Sequence, residues 1–154
     1  MKKIIKFVLT IGVVAIFWGC TPNVDTGETY LDVTPNNISG VWAARTFDGG
    51  AELEEGSYFY IDFKRADRTF VSYDNLKSYV PRVRSGRYDF DVNEATIIYG
   101  VYDYGQGDWQ REYYVRNLTK TTMEWVATDD ESCVCVYVRA ELPEELKALT
   151  PNKD

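Results

Sequence analysis

Side chains that attack, transfer a proton or hold a metal are scarce in this chain. It has no histidine, which removes the Ser-His and Cys-His nucleophiles. Its three cysteines are Cys20, Cys133 and Cys135. The last two stand two apart in SCVCVYV, and on a strand positions i and i+2 share a face. Their α-carbons then lie roughly 6.5 to 7 Å apart, at or beyond the span of an undistorted disulfide. Zinc needs further thiolate or imidazole ligands, so the pair reads as two small, semi-apolar side chains on a strand face. Asp62, Glu112 and Glu124 are of the type a glycosidase pairs, but each falls on the polar side of its segment. The run Asp129 to Glu131 has oxygen ligands for calcium without the turn glycine such sites bring. GQG, residues 105–107, precedes no helix and so forms no phosphate cradle. No catalytic residue, metal or cofactor is assigned, and the chain reads as a non-enzyme.

Cys20 is a different case. Lys2, Lys3 and Lys6 make a cationic start, and residues 7–18 form an almost unbroken apolar run. A spanning helix needs about 20 apolar residues, so this run fits the short core of a secretory signal. Gly19 and then Cys20 follow it, a pattern that resembles the lipobox of bacterial lipoproteins. That resemblance implies cleavage after residue 19, acylation of the Cys20 thiol (palmitate among the chains) and a membrane partner held through lipid. Residues 20–37 are polar, carry Pro22, Gly27 and Pro35, and read as a tether. The implied place is the bacterial cell envelope, as an outer-membrane lipoprotein. TPNV after Cys20 has no acidic cluster, which favours the periplasmic face and leaves surface exposure open.

The formal net charge is −7. Losing residues 1–19 removes three lysines, leaving 14 basic against 24 acidic residues. A phosphate backbone needs a concentrated basic patch; none is visible, and nucleic acid is excluded as a partner.

From residue 38 onward the dominant period is two. SYFYIDFK puts Phe59, Ile61 and Phe63 on one face, RSGRYDFD pairs Tyr88 with Phe90, and TTMEWVAT pairs Met123 with Trp125. SCVCVYVR sets Val134, Val136 and Val138 against Cys133, Cys135, Tyr137 and Arg139. Such alternation predicts strands with one buried face. Turn residues divide the stretch into eight, near 40–47, 57–64, 68–73, 84–91, 96–103, 109–118, 121–128 and 132–140. Eight sequential strands with short links predict an all-β, antiparallel up-and-down barrel over residues 38–154, with closure removing the exposed edges.

The links alternate in character. Those after strands two, four and six are tight (RAD, VNEA and LTKT). The others are longer or more polar (DGGAELEEG, NLKSYVPRV, YGQGD and DDE). In a meander, alternate links lie at opposite ends, so one end is closed by hairpins and the other is a rimmed mouth. Ligand contacts are expected on loops 48–56, 75–83, 103–108 and 129–131. This rim is mostly acidic, with Lys77, Arg82 and Arg84 as a basic counterpatch, and it implies a solute with a positive group.

ISGVW, with Gly40 and Trp42 opening the first strand, is similar to the Gly-x-Trp start of lipocalins. GRYDF and YYVRNLTKTTMEW resemble the lipocalin-like lipoproteins of Bacteroidetes. The resemblance covers residues 38–149 and implies a calycin-like eight-stranded barrel, with ELPEELKAL as a short C-terminal helix. Pro143 suits its first turn and Glu144 and Glu145 its positive end, and Leu146 and Leu149 are expected to face the barrel.

Trp42 reads as a plug at the closed end. Phe59, Ile61, Phe63, Tyr88, Phe90, Met123 and Trp125 face inward and are the candidate ligand contacts. A barrel of eight strands is either filled by its own side chains or holds one small ligand. Two functions therefore stand: a membrane-anchored protein that binds a small apolar or amphipathic ligand, or a filled barrel acting through its surface as an inhibitor or envelope interaction protein. The chain has twelve tyrosines, and Tyr58, Tyr60 and Tyr102, read as outward-facing, suit the second.

Overall fold

The structure is a computed structural model that describes residues 29–47, 49–78 and 80–150; Cys20 and the signal segment lie outside the described residues. The strands are β1 Gly40–Phe47, β2 Ala51–Glu52, β3 Phe59–Lys64, β4 Thr69–Asp74, β5 Arg82–Phe90, β6 Ile97–Tyr102, β7 Tyr113–Arg116, β8 Thr122–Ala127 and β9 Val134–Arg139. Two one-turn helices flank them, α1 Pro35–Ile38 and α2 Glu144–Lys147. Sequential neighbours from β3 to β9 pair antiparallel, β1 pairs with β3, and β1 also pairs with β9. The sheet is therefore a closed antiparallel barrel of eight staves. β2 is a two-residue addition that folds back on the end of β1, Thr46 opposite Glu52.

Each of the eight predicted strands has a counterpart. The largest boundary difference is in β7, expected to start at residue 109. Residues 109–112 leave the ladder after the bridge Val101↔Asp108 and keep single backbone bonds, Trp109 N to Gly100 O and Thr128 N to Glu112 O, because Trp109 turns into the barrel.

The end where β1 starts is sealed. Thr34 caps α1, its hydroxyl accepting from Asn37 N at 3.2 Å, and Pro35 fills the first turn where no N–H is needed. Leu31 N donates to Leu118 O at 2.8 Å, and Leu31 and Val33 pack against the core. Residues 31–37, expected to belong to a loose tether, are thus docked beneath the barrel. Trp42 is fully buried there, donating from Nε1 to Ile38 O at 2.7 Å. The Arg139 guanidinium lies 3.7 Å from the Trp42 ring centre and donates to Ser39 O at 2.5 Å and Asn37 O at 3.0 Å. Gly40, at φ 103, sits where an added Cβ would come within 3.1 Å of Arg139, so the glycine admits both the backbone turn and the arginine.

Above this seal the lower half of the barrel is solid. Phe63 and Tyr88 meet edge to face at 4.9 Å, and Phe70, Ile98, Met123 and Val115 fill the space around them. Phe90 joins at the edge, its ring 6.0 Å from Tyr88. The outer face carries a second small core, in which Leu142 and Leu146 of the C-terminal segment cover Tyr73, with Tyr58 and Tyr60 packed alongside. Tyr73 Oη and Thr150 Oγ1 share a hydrogen bond of 2.8 Å. Leu149, expected to face the barrel, is 44% exposed; Leu142 occupies that role, because the helix ends at Lys147 before its stripe returns.

Candidate functional site

At the other end the filling stops short and leaves a cavity of about 320 Å³. Period-two alternation sends Asp74 and Ser72 of β4, Arg82 and Arg84 of β5 and Tyr102 of β6 to the interior face that holds Phe70 and Tyr88 lower down. The floor is aromatic. Trp125 lies at its centre, with ring centres of Tyr137 at 4.9 Å, Trp109 at 5.2 Å and Tyr113 at 5.2 Å. Phe59 and Phe47 continue the wall toward the rim, 5.6 Å apart edge to face.

Trp109 reaches this position because Gly100 has no side chain. A Cβ there would stand 2.3 Å from Trp109 Cε2. The indole lies over the bare strand, tied by Trp109 N donating to Gly100 O at 2.7 Å, and meets Phe70 at 5.1 Å.

One wall is charged. Asp74 is 1% exposed. Arg82 donates to it from Nη2 at 2.7 Å and from Nε at 3.1 Å, and Arg84 Nη2 approaches the second oxygen at 3.4 Å. The Arg84 guanidinium lies over the Tyr102 ring, 4.2 Å from its centre. Arg84 Nε and Trp125 Nε1 are both buried without a hydrogen-bond partner. Burial pushes the Tyr102 phenol up while Arg84 draws it back, and burial pushes Tyr137 well above the ordinary tyrosine range. Both stay neutral hydroxyls at physiological pH.

Of the candidate contacts named from sequence, Phe59, Ile61 and Trp125 line the cavity, whereas Phe63, Tyr88, Phe90 and Met123 belong to the solid half below it. Tyr102, read as outward-facing, is corrected to the interior. Its alternation partners Ile98 and Gly100 are buried, and the exposed Val101 takes the outer face. The rim acids Glu54 and Glu55 line a separate cleft with Asn75 and Ser78. The cavity wall itself carries Arg82, Arg84 and Lys77 against Asp74 and Asp108. The expectation of a cationic solute came from counting exposed loop acids; the inward strand residues reverse the balance. Asp74, Tyr137 and Trp109 were missed from sequence. The signal for Trp109 was Gly100 inside a strand, which marks a close approach of another group.

A solved structure of a lipocalin-like protein from Bacteroides uniformis aligns with 68% of this chain and 99% of that chain, at a TM-score of 0.50 and 14% identity. That likeness establishes a lipocalin-like fold. No family model matches the chain, and no curated protein matches it.

Proposed function

We propose that this lipocalin-like chain is a binding protein that holds one small amphipathic ligand in the mouth of its barrel, anchored to an envelope membrane through acylated Cys20. The fold is in general a binding, non-enzymatic one. The observation that carries the reading is a barrel packed solid at one end and left open, with an aromatic floor, at the other. The cavity of about 320 Å³ is at the small end of ligand sites, which run from about 300 to 1,000 Å³. A ligand of one or two rings, or a short acyl chain, fits it. Residues 31–38 enter beneath the sealed end, which supports a reading in which the mouth faces away from the bilayer.

The surface-acting alternative loses support from Tyr58 and Tyr60. They pack against the cluster under the C-terminal segment instead of standing free for a partner.

Native mass spectrometry of protein lacking residues 1–19 tests the reading, together with titration of the neutral fluorophore phenyl-naphthylamine. A bound small mass released on denaturation, or a saturable one-site fluorescence rise, supports it. A bare mass combined with no binding of this fluorophore or of its sulfonated analogue anilinonaphthalene sulfonate refutes it.

A further inference from the structure

We infer that the ligand of this mouth carries an oxyanion head (carboxylate, sulfonate or phosphate) seated on Arg84, with its apolar body on Trp125; this rests on the binding reading above. The first observation is the arithmetic of the charged wall. Both oxygens of Asp74 are already taken, one by Arg82 and the other by Arg82 and Arg84. One carboxylate facing two guanidiniums leaves a positive charge over, and Lys77 and Asp108 at the rim offset each other. Asp74 is thus a positioning residue that holds the two arginines, and its negative charge is more than balanced before any ligand arrives.

Two orphan donors are the second observation. Arg84 Nε and Trp125 Nε1 are each buried without an acceptor, and both residues line the same cavity. Trp125 as a whole is 4% exposed, so its N–H has no route to bulk solvent except through the mouth. Neither nitrogen is open to water in the ligand-free mouth, so each already carries the cost of an unmade hydrogen bond, and a purely apolar ligand leaves that cost in place. An amine brings more donors and an unfavourable charge. A group with only acceptors and a negative charge answers both, and the guanidinium fork suits its geometry.

The third observation is the alignment of polar and apolar walls. The Arg84 guanidinium lies over the Tyr102 ring, 4.2 Å from its centre, while the aromatic floor around Trp125 offers ring contacts. An aromatic or acyl body with an acidic group at one end meets both walls at once.

The test uses two probes of one scaffold: anilinonaphthalene sulfonate, which carries the oxyanion, and phenyl-naphthylamine, which lacks it. Both are titrated by fluorescence against protein without residues 1–19. The sulfonate is expected to bind at least about tenfold more tightly, the scale of one charge-assisted hydrogen bond. Arg84→Met is expected to erase that preference, the sulfonate losing about tenfold relative to the neutral probe. Trp125→Phe, which keeps a ring and removes the N–H, is expected to weaken the sulfonate more than the neutral probe. It also serves if Arg84→Met fails to retain the wild-type circular dichroism. Equal binding of the two probes, or equal losses for both in the variants, overturns the oxyanion inference and leaves the binding reading standing. Failure of both probes to bind overturns the two together.

Discussion

Gly100→Ala puts a single methyl group where the structure has room for none. The new Cβ would lie 2.3, 2.6 and 2.7 Å from three atoms of the Trp109 indole. Carbon atoms in contact sit about 3.5 to 4.0 Å apart, so the indole must retreat by more than about 1 Å. Behind it stand Phe70 and Trp125, with ring centres at 5.1 and 5.2 Å; Phe70 is fully buried, so the indole can retreat only into the mouth. Small-to-large changes in packed sites cost about 1 to 3 kcal/mol. Release of the half-buried indole from the wall has a similar cost, so about 2 kcal/mol is expected. For a domain of this size that lowers the melting temperature by about 8 °C. Backbone preference alone runs the other way, since alanine costs less than glycine inside a strand by about 0.5 to 1 kcal/mol. A double-mutant cycle separates the two effects. In a Trp109→Ala background the methyl enters vacated space, and Gly100→Ala becomes neutral or slightly stabilising, giving a coupling of about 2 kcal/mol. Urea denaturation of the four proteins, followed by circular dichroism, measures it. If Gly100→Ala costs the same with and without the indole, Trp109 does not lie over Gly100, and the cavity wall described here is wrong.

Arg139→Met removes three hydrogen bonds to backbone carbonyls, those of Ser39, Asn37 and Lys120, and the cation above Trp42. A loss of about 2 to 4 kcal/mol is expected in thermal melts, and a loss under 0.5 kcal/mol would show that the sealed end does not depend on it. Tyr137 has its folded pKa raised by burial, so its contribution is intact below the unfolded value near 10 and is lost as pH rises beyond it. Tyr137→Phe should therefore narrow the drop in urea midpoint between pH 9 and about pH 11; an unchanged drop would mean the phenol is not buried. Cys20→Ser is expected to release the protein from membranes with its fold intact, since acyl chains contribute about 0.8 kcal/mol per buried CH₂. Variant protein that stays with membranes after a salt wash would rule out the lipid anchor.

Strand count and order were legible because alternation and turn residues agree along most of the chain. Phe59-x-Ile61-x-Phe63 can be read only one way, since the alternate positions are Tyr60 and Asp62. In the last strand alternation could not choose a face, because valines occupy one and Cys135 and Tyr137 the other. The pairing of Tyr137 with Ala44 on one side and Met123 on the other decides it, and no local pattern announces those partners. The docked segment before β1 was hidden for a related reason. Its Thr34-Pro35 start is a sound helix cap, but a single turn has no periodicity to detect, and its burial comes from Leu118 and Trp42, far along the chain. Lys77, Arg82 and Arg84 were visible as a basic patch. Their direction was not, because a patch on a loop and a patch inside a barrel have the same composition.

The departures from strand chemistry concentrate at one end. In the lower barrel the inward positions are apolar except for Arg139, which closes the seal over Trp42. In the upper third the inward positions of β4 and β5 are Ser72, Asp74, Arg82 and Arg84, and a glycine in β6 lets a tryptophan lean across the opening. Burying one carboxylate with two guanidiniums rarely stabilises a fold more than well-packed leucines would. Two further donors left without partners in the same place add cost with no return in folding stability. Such a cluster makes sense as the part of the barrel that gives up packing to leave specific, directed donors for a ligand. Replacing Asp74 and both arginines together by leucine or methionine of similar bulk should therefore leave the fold as stable or more so, while removing the charge on the wall. Thermal melts of that triple variant carry the argument: a melting temperature at or above wild type marks the cluster as functional. A fall of more than about 8 °C, or about 2 kcal/mol, would instead make it a structural clamp.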